Sequence, residues 1–223
     1  MTSATGVPPE LPPEIPAPGH VPRRPGHAPD APLAPAVAPP AVLWDEGPAG
    51  DARQHLLGMR RVMLTGTLDE ATVTRAAAEL MLLDGTSSQP VELLVNSDGG
   101  PLLEVLGLLD VLDLMRAPVA TRCLGRATGT AAIVLAGADG GRAAAVGARI
   151  CLRLEDHHEV SGRATEIERF VDQLERARDG VVARLVRVST LDAPTVAREL
   201  AQGAPMGARE ALARGLIDEV LGR

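Results

Sequence analysis

Two short segments carry residue types whose spacing suits chemistry. One is Asn96-Ser97-Asp98-Gly99-Gly100; the other is Gly125-Arg126-Ala127-Thr128-Gly129-Thr130-Ala131-Ala132. Each follows an apolar run that reads as a strand and precedes a helical pattern. Small residues at such a junction leave N–H groups free at the helix start, where the aligned peptide dipoles suit an anion or a developing oxyanion. An architectural reading competes, because tight strand-to-helix turns need glycine in any case. A dinucleotide site would show G-x-G-x-x-G and an acidic residue about 20 positions on, and neither segment does. Thr128 could act as a nucleophile only beside a base. The nearest histidines, His157 and His158, sit in the acidic run Glu155-Asp156-His157-His158-Glu159. That run reads as a solvated loop; as a metal site it rests only on adjacent ligands.

The elements that position these segments follow from apolar spacing. Arg60 to Gly66 reads as a strand ending in glycine, and Leu68 to Leu83 as a helix with Asp69 near its start. Val91 to Gly100 is a buried strand running into a turn, and Pro101 to Met115 a second helix. Pro118 to Gly125 is a strand; the small-residue segment after it turns into a short buried helix. Arg149 to Leu154 is another strand. Arg163 to Val188 is a long charged amphipathic helix, with Ser161 as the expected cap before it. Asp192 to Gln202 is a helix with Pro194 in its first turn. The run from Gly215 to Leu221 closes the chain as a strand. Strands alternating with helices predict an α/β domain with a mainly parallel sheet.

Composition separates a tail from this domain. Fourteen of the 19 prolines precede residue 51. Each fixes φ and removes a backbone donor, so residues 1–50 are expected to be a disordered, proline-rich tail before a domain over 51–223. The tail has neither the apolar core of a secretory signal nor the amphipathic helix of a presequence. No stretch of about 18 apolar residues offers a membrane span, so a cytoplasmic location is expected. Lysine is absent and arginine carries every fixed positive charge; the net charge of −7 gives no reason to expect nucleic-acid binding. With one Phe, one Trp and no Tyr, the core must be built from Ala, Val, Leu and Ile. Cys123 and Cys151 lie in apolar stretches and read as buried thiols.

From Arg60 to Leu221 the chain resembles the proteolytic subunit of ATP-dependent Clp protease. N-S-D-G-G corresponds to that family's N-S-P-G-G, and G-R-A-T-G-T-A-A falls where the family has G-x-A-A-S-M-G. A-G-A-D-G-G-R, from Ala136, matches A-G-A-K-G-K-R. G-R-A-T-E-I-E, from Gly162, matches the G-Q-A-T-E-I-E that opens the family's handle helix. A-R-E-A-L-A-R-G-L-I-D-E-V, from Ala208, matches the closing A-x-E-A-x-x-Y-G-L-I-D. The resemblance implies the Clp protease/crotonase-like fold, with repeated β-β-α units and a protruding handle helix. It also implies a ring-forming serine endopeptidase that works with an AAA+ unfoldase on peptide substrates, without cofactor or metal.

The family's triad does not carry over. Its serine falls on Gly129, or on Thr128 if a one-residue gap is placed earlier. The histidine falls on Arg153, or on Leu154 with a shifted insertion, and the aspartate falls on Gly203. Glycine offers no nucleophile, a guanidinium carries only donors, and Gly203 cannot orient an imidazole. The oxyanion side is expected to persist at Gly99, Gly100 and Thr130, able to hold a peptide carbonyl without cleaving it. Glu92 and Leu94 stand where the family carries aromatics for ATPase docking, and Gln202 replaces an arginine of its ring–ring contacts. The reading is a non-catalytic subunit of a homo- or hetero-oligomeric ring. An active serine/threonine-type endopeptidase and a crotonase-like acyl-CoA-binding protein are the alternatives.

Overall fold

Alternation of apolar residues along three adjacent strands builds the sheet. The computed structural model describes residues 48–154 and 163–222. Strand β1 (Arg61–Thr67) buries Val62 and Leu64 and sends Arg61 and Met63 to the other face. β2 (Val91–Gly99) buries Val91, Leu93 and Val95, and β3 (Val119–Thr128) buries Val119, Thr121 and Cys123. This period of two places one apolar row on each strand against the core. Thr121 is tolerated there because its hydroxyl donates to the Leu135 carbonyl at 2.7 Å.

Helices close the buried face. α2 (Glu70–Thr86) begins at Asp69, whose carboxylate accepts from the Thr72 N–H, and packs Val73, Ala76, Leu80 and Leu83 inward. α3 (Leu102–Leu114) lies beside it with Val105, Leu108 and Leu112 buried. α4 (Thr130–Ala136) has every residue buried at the centre of the core. The long helix α5 (Ala164–Val188) buries Ala177, Val181 and Leu185 and packs Leu174 partly against the core; none of its residues before Leu174 is buried. α6 (Ala193–Gln202) starts at Asp192, whose carboxylate accepts from the Thr195 N–H at 3.0 Å, with Pro194 in the first turn.

The sheet path runs β1-β2-β3, then β4 (Arg142–Ala145) and β7 (Glu219–Leu221), all parallel. β5 (Arg149–Cys151) joins β3 farther along, and the short β6 (Met206–Gly207), which leads into α7 (Ala208–Ala213), pairs with β5 antiparallel. This mixed α/β arrangement is the Clp protease/crotonase-like fold.

Several elements differ from the sequence reading. β3 continues past Gly125 to Thr128, so the predicted small-residue turn shrinks to Gly129 alone. β5 stops at Cys151, short of Leu154. β4 escapes a pattern-based reading because three of its four residues are alanine, a weak strand former held here by neighbours on both sides. A helix α1 (Pro48–Gly58) precedes β1 and is tied to α2 by the ion pair of Arg53 with the buried Glu79. α5 takes Arg163 as its N-cap, with the Glu166 carboxylate accepting from the Arg163 N–H at 3.1 Å. Ser161, the histidine-containing acidic run and nearly all of the proline-rich segment lie outside the described residues.

Candidate functional site

The site is made where β3 changes partners. Residues Thr121 to Cys123 pair with β4, and residues Arg126 to Thr128 pair with β5. Across this change Leu124, Gly125 and Arg126 stand opposite the single residue Asn96 of β2. Such a bulge re-aims the strand. β3 then ends at Gly129, whose N–H donates to the Cys151 carbonyl at 2.8 Å. Gly129 has φ 56° and ψ −122°, a conformation that side chains resist. A methyl group on it would lie 3.2 Å from the Arg153 carbonyl oxygen and 3.9 Å from that of Asp98. The geometry is a sharp strand-to-helix turn, the kind that projects a nucleophile when one is present.

The N-S-D-G-G turn packs against that elbow. The buried Ser97 hydroxyl donates to the Gly66 carbonyl at 2.5 Å and accepts from the Gly99 N–H at 2.9 Å. Gly99 has φ 90°, and a methyl there would meet the Thr128 carbonyl oxygen at 2.5 Å, so only glycine fits. The Gly100 N–H donates to the Thr130 hydroxyl at 2.9 Å, and that hydroxyl donates back to the Gly100 carbonyl at 3.1 Å. Thr130 is buried at 1% exposure. Of the two N–H groups that the resemblance assigns to an oxyanion, those of Gly100 and Thr130, the Gly100 one is thus already bonded within the chain.

The other residues singled out from sequence gather around this turn. Arg153 is exposed just beyond β5, with its carbonyl facing Gly129. Gly203 is buried at the end of α6; its carbonyl accepts from the Cys151 thiol at 3.5 Å. Gly129 and Gly203 are therefore linked through Cys151. A methyl at Gly203 would meet the Glu199 carbonyl oxygen at 2.5 Å and the Glu199 carboxylate at 2.7 Å, leaving no room for a side chain. Thr128 is half-buried, and its hydroxyl has no hydrogen-bond partner among the described residues. The only histidine among the described residues is His55, on α1. Cys123 and Cys151 are both free and buried, and burial pushes the Cys123 thiol up to about 11.

Two arginines escaped sequence reasoning. Arg126 and Arg149 stand directly opposite each other across β3 and β5. Both line an open depression of about 700 Å³, together with Asn96, Thr128, Cys151 and Pro205. Arg126 pairs with Asp98 at 2.7 Å, both side chains being well exposed. Their juxtaposition depends on the bulge at residues 124–126, which strand periodicity alone does not reveal.

Known proteins resemble this sequence. The family model for Clp protease matches residues 46–223. An ATP-dependent Clp protease proteolytic subunit-like protein of Streptomyces coelicolor is 34% identical over 77% of this chain and 82% of its own length. ATP-dependent Clp protease proteolytic subunit 2 of Streptomyces avermitilis is 29% identical over 78% of this chain and 88% of its own length. Proteolytic subunit 1 of Rhodococcus jostii is 26% identical over 88% of this chain and 91% of its own length. With the match spanning every element that builds the turn at Gly129, the chain belongs to the Clp protease family.

Proposed function

We propose that the chain is a non-cleaving subunit of a Clp-type ring, working in the cytoplasm with active paralogous subunits and an AAA+ unfoldase in ATP-dependent protein degradation. The observation that carries this reading is Gly129: the residue at the elbow has no side chain to attack a carbonyl. Three further features support it. Arg153, beside the elbow, has a guanidinium with only donors. Gly203 is packed too tightly to carry an aspartate. Thr130 occupies the Gly100 N–H that would otherwise stabilise an oxyanion.

The exposed half of α5 is the handle in this reading, available to an opposing ring. Glu92 is ion-paired with Arg61 and Arg122 where the family resemblance calls for docking aromatics. ATPase docking is accordingly assigned to the paralogous subunits rather than to this one.

The test is co-expression with an active paralogue from the same genome, followed by affinity capture and native mass measurement. Mixed rings are expected, with no turnover of a fluorogenic peptide by the isolated chain. Recovery of the chain only as a lone monomer overturns the ring assignment. Peptide turnover abolished by Thr128→Ala would instead establish a threonine-type peptidase.

A further inference from the structure

We infer that the depression beside Thr128 is a binding site for an acidic peptide, with Arg126 and Arg149 gripping its carboxylates; this rests on the non-cleaving reading. The two arginines are direct cross-strand neighbours on β3 and β5, so their side chains leave the same face of the sheet. Like charges opposed in this way repel each other unless an anion lies between or beside them. Asp98 answers one of them, at 2.7 Å from Arg126. That pair is 59% and 62% exposed, a setting in which an ion pair contributes little and exchanges readily. Arg149 is exposed and has no hydrogen bond or ion pair among the described residues. The site therefore carries an unanswered positive charge on a chain whose net charge is −7.

Shape and neighbouring donors favour a peptide over a small ion. About 700 Å³ of open space far exceeds an inorganic anion and falls in the range of ligand clefts. The Asn96 amide and the Thr128 hydroxyl border it and can bond a peptide backbone. With the Gly100 N–H already taken by Thr130, the peptide is held by its charge rather than by a carbonyl in an oxyanion site. Guanidinium groups suit this task because they meet carboxylates through paired N–H donors.

Fluorescence anisotropy on the full chain tests this with a labelled Gly-Ser peptide bearing glutamates, its glutamine counterpart, and each in free-acid and amidated form. The amidated glutamate peptide is expected to bind, and to bind more weakly as salt rises. Binding of the glutamine peptide only as its free acid would name the chain terminus as the carboxylate source. Arg149→Gln should weaken binding about tenfold, the loss of one charge-assisted contact. Its melting temperature should not fall, because repulsion with Arg126 is relieved. Asp98→Asn should tighten binding several-fold by removing the internal competitor for Arg126. Equal affinity for the amidated glutamine peptide overturns the site, as does an Asp98→Asn protein that binds no tighter. Cleavage of a bound peptide would overturn the non-cleaving reading and leave the site standing.

Discussion

The Thr130 side chain closes a two-way hydrogen-bonded contact with Gly100, accepting from its N–H at 2.9 Å and donating to its carbonyl at 3.1 Å. One hydroxyl thereby satisfies two backbone groups of the glycine turn and joins the start of α4 to the end of β2. Thr130→Val keeps the shape but removes both bonds at a buried position. The expected loss is about 1–3 kcal/mol of unfolding free energy, read by urea denaturation. Thr130→Ser keeps the hydroxyl and should cost about 1 kcal/mol or less, the packing of one methyl group. Equal stability of the valine variant would mean that the contact does not hold the turn.

Much of this architecture is legible in the sequence, and what is hidden has definite physical causes. Val91, Leu93 and Val95 alternate with Glu92 and Leu94, so β2 announces itself. Asp69 and Asp192 precede their helices as caps, and each accepts from the N–H three residues on. β4 is hidden because Ala143, Ala144 and Ala145 have no strand preference of their own; pairing with β3 and β7 decides their conformation. The site is half legible. The family resemblance points to Gly129 or Thr128, to Arg153 or Leu154 and to Gly203, but the Thr130–Gly100 contact joins residues 30 apart and depends on one rotamer. The Arg126–Arg149 pairing needs a bulge that local pattern does not encode.

Glu92 offers a test of the outer sheet face. Its carboxylate lies between Arg61, at 2.6 Å, and Arg122. Glu92→Ala leaves two arginines without their shared partner and is expected to cost about 1 kcal/mol at low salt. The difference should shrink in concentrated salt, where exposed charges are screened. A salt-independent loss would show that packing of the glutamate stem, not its charge, matters there.

Arg142 is a second anchor. Its guanidinium donates to the carbonyls of Val188 at 2.7 Å and Gly215 at 2.9 Å, and to Asp218 at 2.5 Å. It ties the end of α5 to the turn before β7 and is itself only 12% exposed. Arg142→Ala should destabilise by about 2–3 kcal/mol, because carbonyls bonded to a charged donor lose it together.

The same contact sets a pH dependence. The Arg142 side-chain hydrogen bond holds the Asp218 carboxyl below its ordinary 3.8; burial opposes this, and the Arg142 N–H and charge assist it. Asp84 is lowered in the same direction, first by the Ala117 N–H. A carboxyl depressed in the folded state contributes stability above its unfolded value and loses it as pH falls through the folded one. Unfolding free energy should therefore decline between about pH 5 and pH 2. Asp218→Asn should flatten part of that acid limb while lowering stability at neutral pH. An acid limb unchanged in this variant would remove Asp218 from the account.

Gly129→Ser tests the non-cleaving reading by placing a hydroxyl at the elbow, and separates a nucleophile from its supporting groups. The serine must adopt φ 56° and place its Cβ 3.2 Å from the Arg153 carbonyl oxygen. That strain is expected to cost about 1–3 kcal/mol, yet the fold should survive, since only the Arg153 and Asp98 carbonyl oxygens lie within 4 Å of such a Cβ. Fluorogenic peptide turnover should stay at background, because no described group beside the serine can accept its proton and Thr130 still occupies the Gly100 N–H. Adding Arg153→His supplies a base without an orienting carboxylate. Adding Gly203→Asp as well drives a side chain toward the Glu199 carbonyl, where a Cβ would sit at 2.5 Å, so that triple variant should unfold earlier than the double. Turnover by Gly129→Ser alone would mean that a base reaches the elbow after all, and would return this chain to the cleaving subunits.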